Sequence, residues 1–142
     1  MRALLDVNIL VALLDAQHVH HRTAQSWLAA NMADGWATSP LTENGCLRVL
    51  TNSRYAAPLP ADDVIARLNK AKSLGHHEFW ADDVATTDTT VFVWSRLRSH
   101  QQVTDVYLLA LAVAHAGRLA TFDQGLALNL VVGARPEHLV VL

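Results

Sequence analysis

Two short apolar runs, each closed by an aspartate, constrain this chain more than any other feature. Ala3-Leu4-Leu5 runs into Asp6, and Arg118-Leu119-Ala120-Thr121-Phe122 runs into Asp123. Strands this short and this apolar are buried on both faces, which is the habit of parallel sheets covered by helices. Trp36-Ala37-Thr38, Glu78-Phe79-Trp80 and Leu139-Val140-Val141 read as further strands. Helical spacing alternates with them over Asn8–Leu14, His18–Met32, Pro40–Leu50, Ala61–Leu74 and Asp105–Ala116. Val91–Arg98 also has helix-compatible spacing, and Asp82–Thr90 reads as a turn or short helix. Ser39 is a good N-cap ahead of Pro40, Thr104 caps the helix from Asp105, and Gly75 and Gly117 are stops. Short strands alternating with helices predict an α/β/α sandwich with a mainly parallel central sheet, formed by residues 1–142 as one domain.

In such a fold, strand C-termini and helix N-termini lie at the same edge, where ligands bind. Asp6 and Asp123 close strands, while Glu43 and Asp105 sit just inside helix starts. Taken singly, each is an ordinary loop or first-turn acid. Four together repel one another unless a cation holds them, although helix N-termini at Glu43 and Asp105 ease the crowding. Hard oxygen ligands suit Mg²⁺ or Mn²⁺, and such an ion activates water against phosphate esters.

A net charge of −2 does not suggest a nucleic-acid binder, yet with the four acids set aside as ligands the rest is mildly basic. Cys46 is the only cysteine, so no internal disulfide forms, in keeping with a reducing cytoplasm. An acid as early as Asp6 argues against a signal peptide, and no apolar stretch approaches the ~20 residues of a membrane helix. The expectation is a cytoplasmic protein with no membrane partner.

Four segments carry a family resemblance: Leu4-Leu5-Asp6-Val7-Asn8-Ile9-Leu10, Pro40-Leu41-Thr42-Glu43-Asn44-Gly45, Thr104-Asp105-Val106-Tyr107-Leu108-Leu109-Ala110-Leu111-Ala112 and Leu119-Ala120-Thr121-Phe122-Asp123. In order and spacing they resemble a PIN domain, closest to the VapC toxins of bacterial toxin–antitoxin pairs. Gly35-Trp36-Ala37-Thr38, Phe79-Trp80-Ala81-Asp82-Asp83 and the His18/His20/His21 segment are similar to a mycobacterial VapC subfamily. The resemblance implies a Mg²⁺- or Mn²⁺-dependent endoribonuclease that cleaves single-stranded RNA regions, is silenced by a VapB-type antitoxin and forms a homodimer. It implies Asp6, Glu43, Asp105 and Asp123 as the catalytic acids, Asp6 and Asp105 as metal ligands, and Asn8 and Thr121 as supporting groups.

Arg48, five residues past Glu43 on one helix, is the candidate for a flanking phosphate, with Arg54, Arg96 and Arg98 behind it. Trp80 is a candidate for stacking on an unpaired base, with Phe79 read as core. Capping and packing around Trp27 account for His18, His20 and His21, which lack the spacing of a zinc site. Asp15 reads as a solvated acid. Two other functions compete. A haloacid dehalogenase-like phosphatase wants Asp-x-Asp where this chain has Asp6-Val7-Asn8, and a non-catalytic PIN-like binding module would have lost one or more acids.

Overall fold

The computed structural model describes all 142 residues. Five strands form one parallel sheet: β1 (Ala3–Leu5), β2 (Trp36–Thr38), β3 (His77–Phe79), β4 (Arg118–Thr121) and β5 (Leu139–Val141). Their order across the sheet is β3-β2-β1-β4-β5. The chain therefore builds outward from β1 in one direction and then in the other. The gap beyond the C-terminal ends of β1 and β4 is the switch point of the sheet. Asp6 immediately follows β1, and Asp123 lies two residues past β4.

Alternation along the strands sends side chains to two separate cores. Leu4, Ala37 and Leu119 face α5 (Val103–Ala114), Trp80, Phe92 and the segment around Leu126 and Leu130. Ala3, Leu5, Trp36 and Ala120 face the other layer. That layer is made of α1 (Val7–Leu14), α2 (His21–Asn31), α3 (Pro40–Leu50) and α4 (Ala61–Ser73). Leu4, Leu5 and Leu119 are fully buried, as strands covered on both faces require. No helix is long and apolar enough to cross a membrane.

Ser39 caps α3 as expected, in a reciprocal box with Thr42: the Ser39 N–H donates to Thr42 Oγ1 at 2.9 Å. Close packing of α1 on α3 depends on Gly45, where a Cβ would meet Val7 Cγ2 at 2.5 Å. At the end of α5, Ala116 takes the left-handed turn (φ 51°) and the Gly117 N–H donates to Ala112 O. Gly117 is needed for space, because a Cβ there would lie 2.5 Å from the Trp80 ring and 2.7 Å from Arg2 O.

Several local expectations need correction. Val91–Arg98 forms a bridge from Phe92 to Val131 followed by a single 3₁₀ turn at Trp94–Arg96, because Phe92 is drawn into the core beside Tyr107. The second helix begins at His21, after a turn in which the His18 ring accepts from the His20 N–H. Thr104 lies inside α5, since a 3₁₀ turn at His100–Gln102, capped by Ser99, leads directly into the helix.

Gly45→Ala is expected to lower stability by about 1–3 kcal/mol through overpacking. Adding Val7→Ala should recover part of that loss, with a coupling of about 1 kcal/mol in urea denaturation. Additive losses would show that Val7 is not what Gly45 accommodates.

Candidate active site

One hydroxyl ties the ends of the two central strands together. Thr121 Oγ1 donates to Asp6 Oδ2 at 2.6 Å and accepts from Asn8 Nδ2 at 3.0 Å and from the Asp123 N–H at 3.0 Å. A hydroxyl has one donor and two acceptor positions, so Thr121 is fully used. Asn8 Oδ1 in turn accepts from the Phe122 N–H at 3.2 Å. The other Asp6 oxygen accepts from the Val7 N–H at 2.6 Å, making Asp6 the N-cap of α1. Asn8 thus holds a loop in place and has no proton to supply, which removes the leaving-group acid a phosphatase of the Asp-x-Asp kind requires.

Asp6, Asp105 and Asp123 are brought together. Burial pushes the Asp6 carboxyl above its ordinary value, with the Asp123 charge adding to this and the Thr121 and Val7 hydrogen bonds opposing it. Asp105 sits in the first turn of α5. Burial raises its carboxyl to about 7, together with the neighbouring Asp6 and Asp123. None of the three forms a salt bridge. The group is an uncompensated cluster of hard oxygen donors. No three Asp, Glu, His or Cys side chains converge tightly enough to cage an ion alone.

Glu43, the fourth acid of the expectation, has its partners outside the three aspartates. Its Oε1 accepts from Thr38 Oγ1 at 2.6 Å and pairs with Lys72 Nζ of α4 at 2.8 Å. Helix geometry is the reason. At about 100° per residue, Leu41, Asn44 and Arg48 share one face of α3, and Glu43 lies off it. The face of Leu41, Asn44, Gly45 and Arg48 lines a cleft of about 400 Å³ with Asp6, Thr104 and Asp105. Arg48, exposed and without a salt bridge, lines this cleft alongside Asp6 and Asp105.

The aromatic expectations reverse. Trp80 is 3% exposed and stacks on His115 with ring centroids 4.5 Å apart, so it is core and unavailable to a base. Phe79 is 52% exposed, with Lys72 Nζ 5.3 Å from its ring centroid. A strand alternates faces, so adjacent aromatics cannot both be buried on one side. Asp15 is engaged rather than free: Tyr55 Oη donates to its Oδ2 at 2.5 Å and the Gln17 N–H to its Oδ1. His18, Tyr55 and Asn44, which the sequence reading gave no site role, also border the aspartates. For Asn44 the i, i+4 relation to Arg48 was the available signal.

A pH dependence follows for the metal-free protein. Asp105 in the folded state keeps a proton up to about 7 that the unfolded chain releases near 3.8. Stability from this group is full below about pH 4 and is lost as pH rises towards 7. Asp105→Asn should flatten that fall in thermal melts taken with chelator present. An unchanged pH profile in the variant would show that the three aspartates are not crowded.

Residues 3–128 match the PIN domain family. The chain is 49% identical to Ribonuclease VapC44 of Mycobacterium tuberculosis over 142 residues, the full length of both. It is 43% identical to Ribonuclease VapC39 of the same organism over 129 residues, 89% of this chain and 92% of that one. Among solved structures, M. tuberculosis VapC20, described as a sarcin-ricin loop cleaving toxin, superposes with a TM-score of 0.60 at 15% identity, covering 87% of this chain and 91% of that one. VapBC2 from Rickettsia felis, bound to a DNA fragment from its promoter, gives a TM-score of 0.52 at 17% identity, covering 87% and 89%. These two share the fold. With three aspartates gathered at the switch point of a parallel sheet and full-length identity to a VapC ribonuclease, the chain belongs to the PIN-domain VapC family of ribonuclease toxins.

Proposed function

We propose that the protein cleaves single-stranded RNA regions with Mg²⁺ or Mn²⁺ bound at Asp6 and Asp105. The supporting observation is the Asp6–Asp105–Asp123 cluster, which no cationic side chain neutralises. A bound divalent cation would activate a water and polarise the phosphodiester. Thr121 and the Val7 N–H fix both oxygens of Asp6, so its orientation is set before any ligand arrives. Asp105 is carried on the first turn of α5, where the helix dipole favours its charged form. Asp123, whose Oδ1 accepts from the Gly125 N–H at 2.7 Å, remains to orient water at the cluster. Glu43, implied as a fourth acid by the family resemblance, acts in this reading through its pair with Lys72, which ties α3 to α4.

Asp6→Asn, Asp105→Asn and Asp123→Asn should each reduce cleavage of a single-stranded RNA by about 100-fold or more, with the fold retained. Excess chelator should do the same, and added Mg²⁺ or Mn²⁺ should restore the wild type. Full cleavage in chelator would overturn the metal reading. Glu43→Gln should lower the melting temperature and reduce cleavage less than Asp6→Asn. An equal loss of activity with unchanged stability would return Glu43 to the acid set.

We also propose a VapB-type antitoxin as partner. An apolar cleft of about 410 Å³ lies between α1, α2 and α4, lined by residues including Leu10, Leu13, Leu28, Met32, Leu68 and Leu74. An amphipathic antitoxin helix fits such a groove, and an antitoxin arginine placed among the aspartates would block the site through its bidentate fork. The neighbour from R. felis is a VapBC complex, which supports this partner. Met32→Glu should weaken capture of the co-expressed antitoxin while RNA cleavage by the free toxin is unchanged. Undiminished capture would move the partner elsewhere. A homodimer and a cytoplasmic location complete the proposal, the latter in keeping with Cys46, which is buried and unpaired. A monomeric mass in light scattering would overturn the dimer.

A further inference from the structure

The aspartate cluster repels the backbone of any RNA, so the strand needs cationic footing on the surfaces beside it. On one side that footing is Arg48, in the cleft it shares with Asp6, Thr104 and Asp105. A second cleft, of about 530 Å³, shares no lining residue with the first and includes Gln102 at the start of α5. Its walls are predominantly polar and contain no acid, and they carry Arg96, Arg98, Gln102, Gly125 and Asn129.

Two bonds connect this cleft to the cluster. Gln102 Nε2 donates to Gly125 O at 3.0 Å, and the Gly125 N–H donates to Asp123 Oδ1 at 2.7 Å. Gln102 is also the residue from which α5, and with it Asp105, begins. The wall of the cleft is thus braced to both Asp105 and Asp123. Arg96 donates to Asn129 O at 2.9 Å, which orients its guanidinium along the wall. Neither Arg96 nor Arg98 pairs with a carboxylate, and both are exposed. Arg2, Arg118 and Arg135 are each paired with an acid, whereas Arg22, Arg54 and Arg67, also without an acid partner, line neither cleft. Arginines left unpaired in a concave wall whose Gly125 lies two residues past Asp123 are suited to phosphate.

We infer that the Arg96–Arg98 cleft is an RNA-backbone subsite, and that the strand crosses the aspartates between it and Arg48. The inference rests on the ribonuclease reading and adds the course of the substrate. Arg96 and Arg98 take phosphates flanking the scissile one on the Asp123 side. Arg48 takes a flanking phosphate on the Asp6 side. The scissile phosphate lies between, over Asp6, Asp105 and Asp123.

The test is equilibrium binding of a short labelled single-stranded RNA to the full-length protein by fluorescence anisotropy. Chelator is present to prevent cleavage, and salt is varied between about 50 and 200 mM. Arg96→Ala/Arg98→Ala is expected to weaken binding by about 10-fold and to flatten the dependence of log affinity on log salt by about 1.4, the value for two single-strand phosphate contacts. Arg98→Ala alone removes an exposed side chain with no partner to lose, so it folds as the wild type, and it should flatten the slope by about 0.7. Arg135→Ala, an exposed arginine paired with Glu137, is the control and should change neither quantity. Wild-type affinity and slope in Arg98→Ala and the double variant, with the wild type binding RNA, would overturn the subsite and leave the ribonuclease reading standing. Failure of the wild type both to bind and, with metal restored, to cleave RNA would overturn the two together.

Discussion

The hydroxyl of Thr121 holds the two halves of the site in register. It stands at the C-terminal end of β4, fully buried, and reaches across to Asp6 beyond β1. Parallel pairing of β1 with β4 sets that distance, with Leu5 opposite Ala120. Everything downstream depends on this: the capping of α1 by Asp6, the anchoring of Asn8, and the turn that presents Asp123. A valine at position 121 would keep the volume but leave a buried carboxylate oxygen without its donor, a loss usually larger than the net worth of the hydrogen bond itself.

Around this frame the fold concentrates negative charge and displaces positive charge to the flanks. Asp6 and Asp105 are both raised above their ordinary values because burial removes water before any partner replaces it. Such a site stores electrostatic cost in the free protein that a bound cation would release. The arrangement accounts for an acidic chain acting on a polyanion: net charge describes the whole surface, whereas substrate meets local clefts such as those of Arg48 and Arg96–Arg98.

Much of the architecture was legible in the sequence because it follows from short-range rules. The Ser39-Pro40 start of α3 matched the structure, as did the strand Trp36–Thr38 and the helix stop at Ala116-Gly117. Capping chemistry and apolar runs act within a few residues. Local spacing misled where a long-range contact intervened. Phe92 pairs with Val131 in place of continuing a helix, and Trp80 is claimed by His115 at the C-cap of α5.

By itself, the sequence determined that strands and helices alternate, that acids follow strand ends and enter helix starts, and that these acids belong at one edge. Only the tertiary structure decided which acids meet. Asp6 and Asp123 converge because β1 and β4 are neighbours at the switch point of the sheet. Glu43 pairs with Lys72 of α4 at 2.8 Å, and the rotation of α3 presents Arg48 to the cleft of Asp6 and Asp105. The physical reason is range. Propensity and capping are written into neighbouring residues, whereas the Lys72–Glu43 ion pair across 29 positions and the Thr121–Asp6 hydrogen bond across 115 depend on how layers pack.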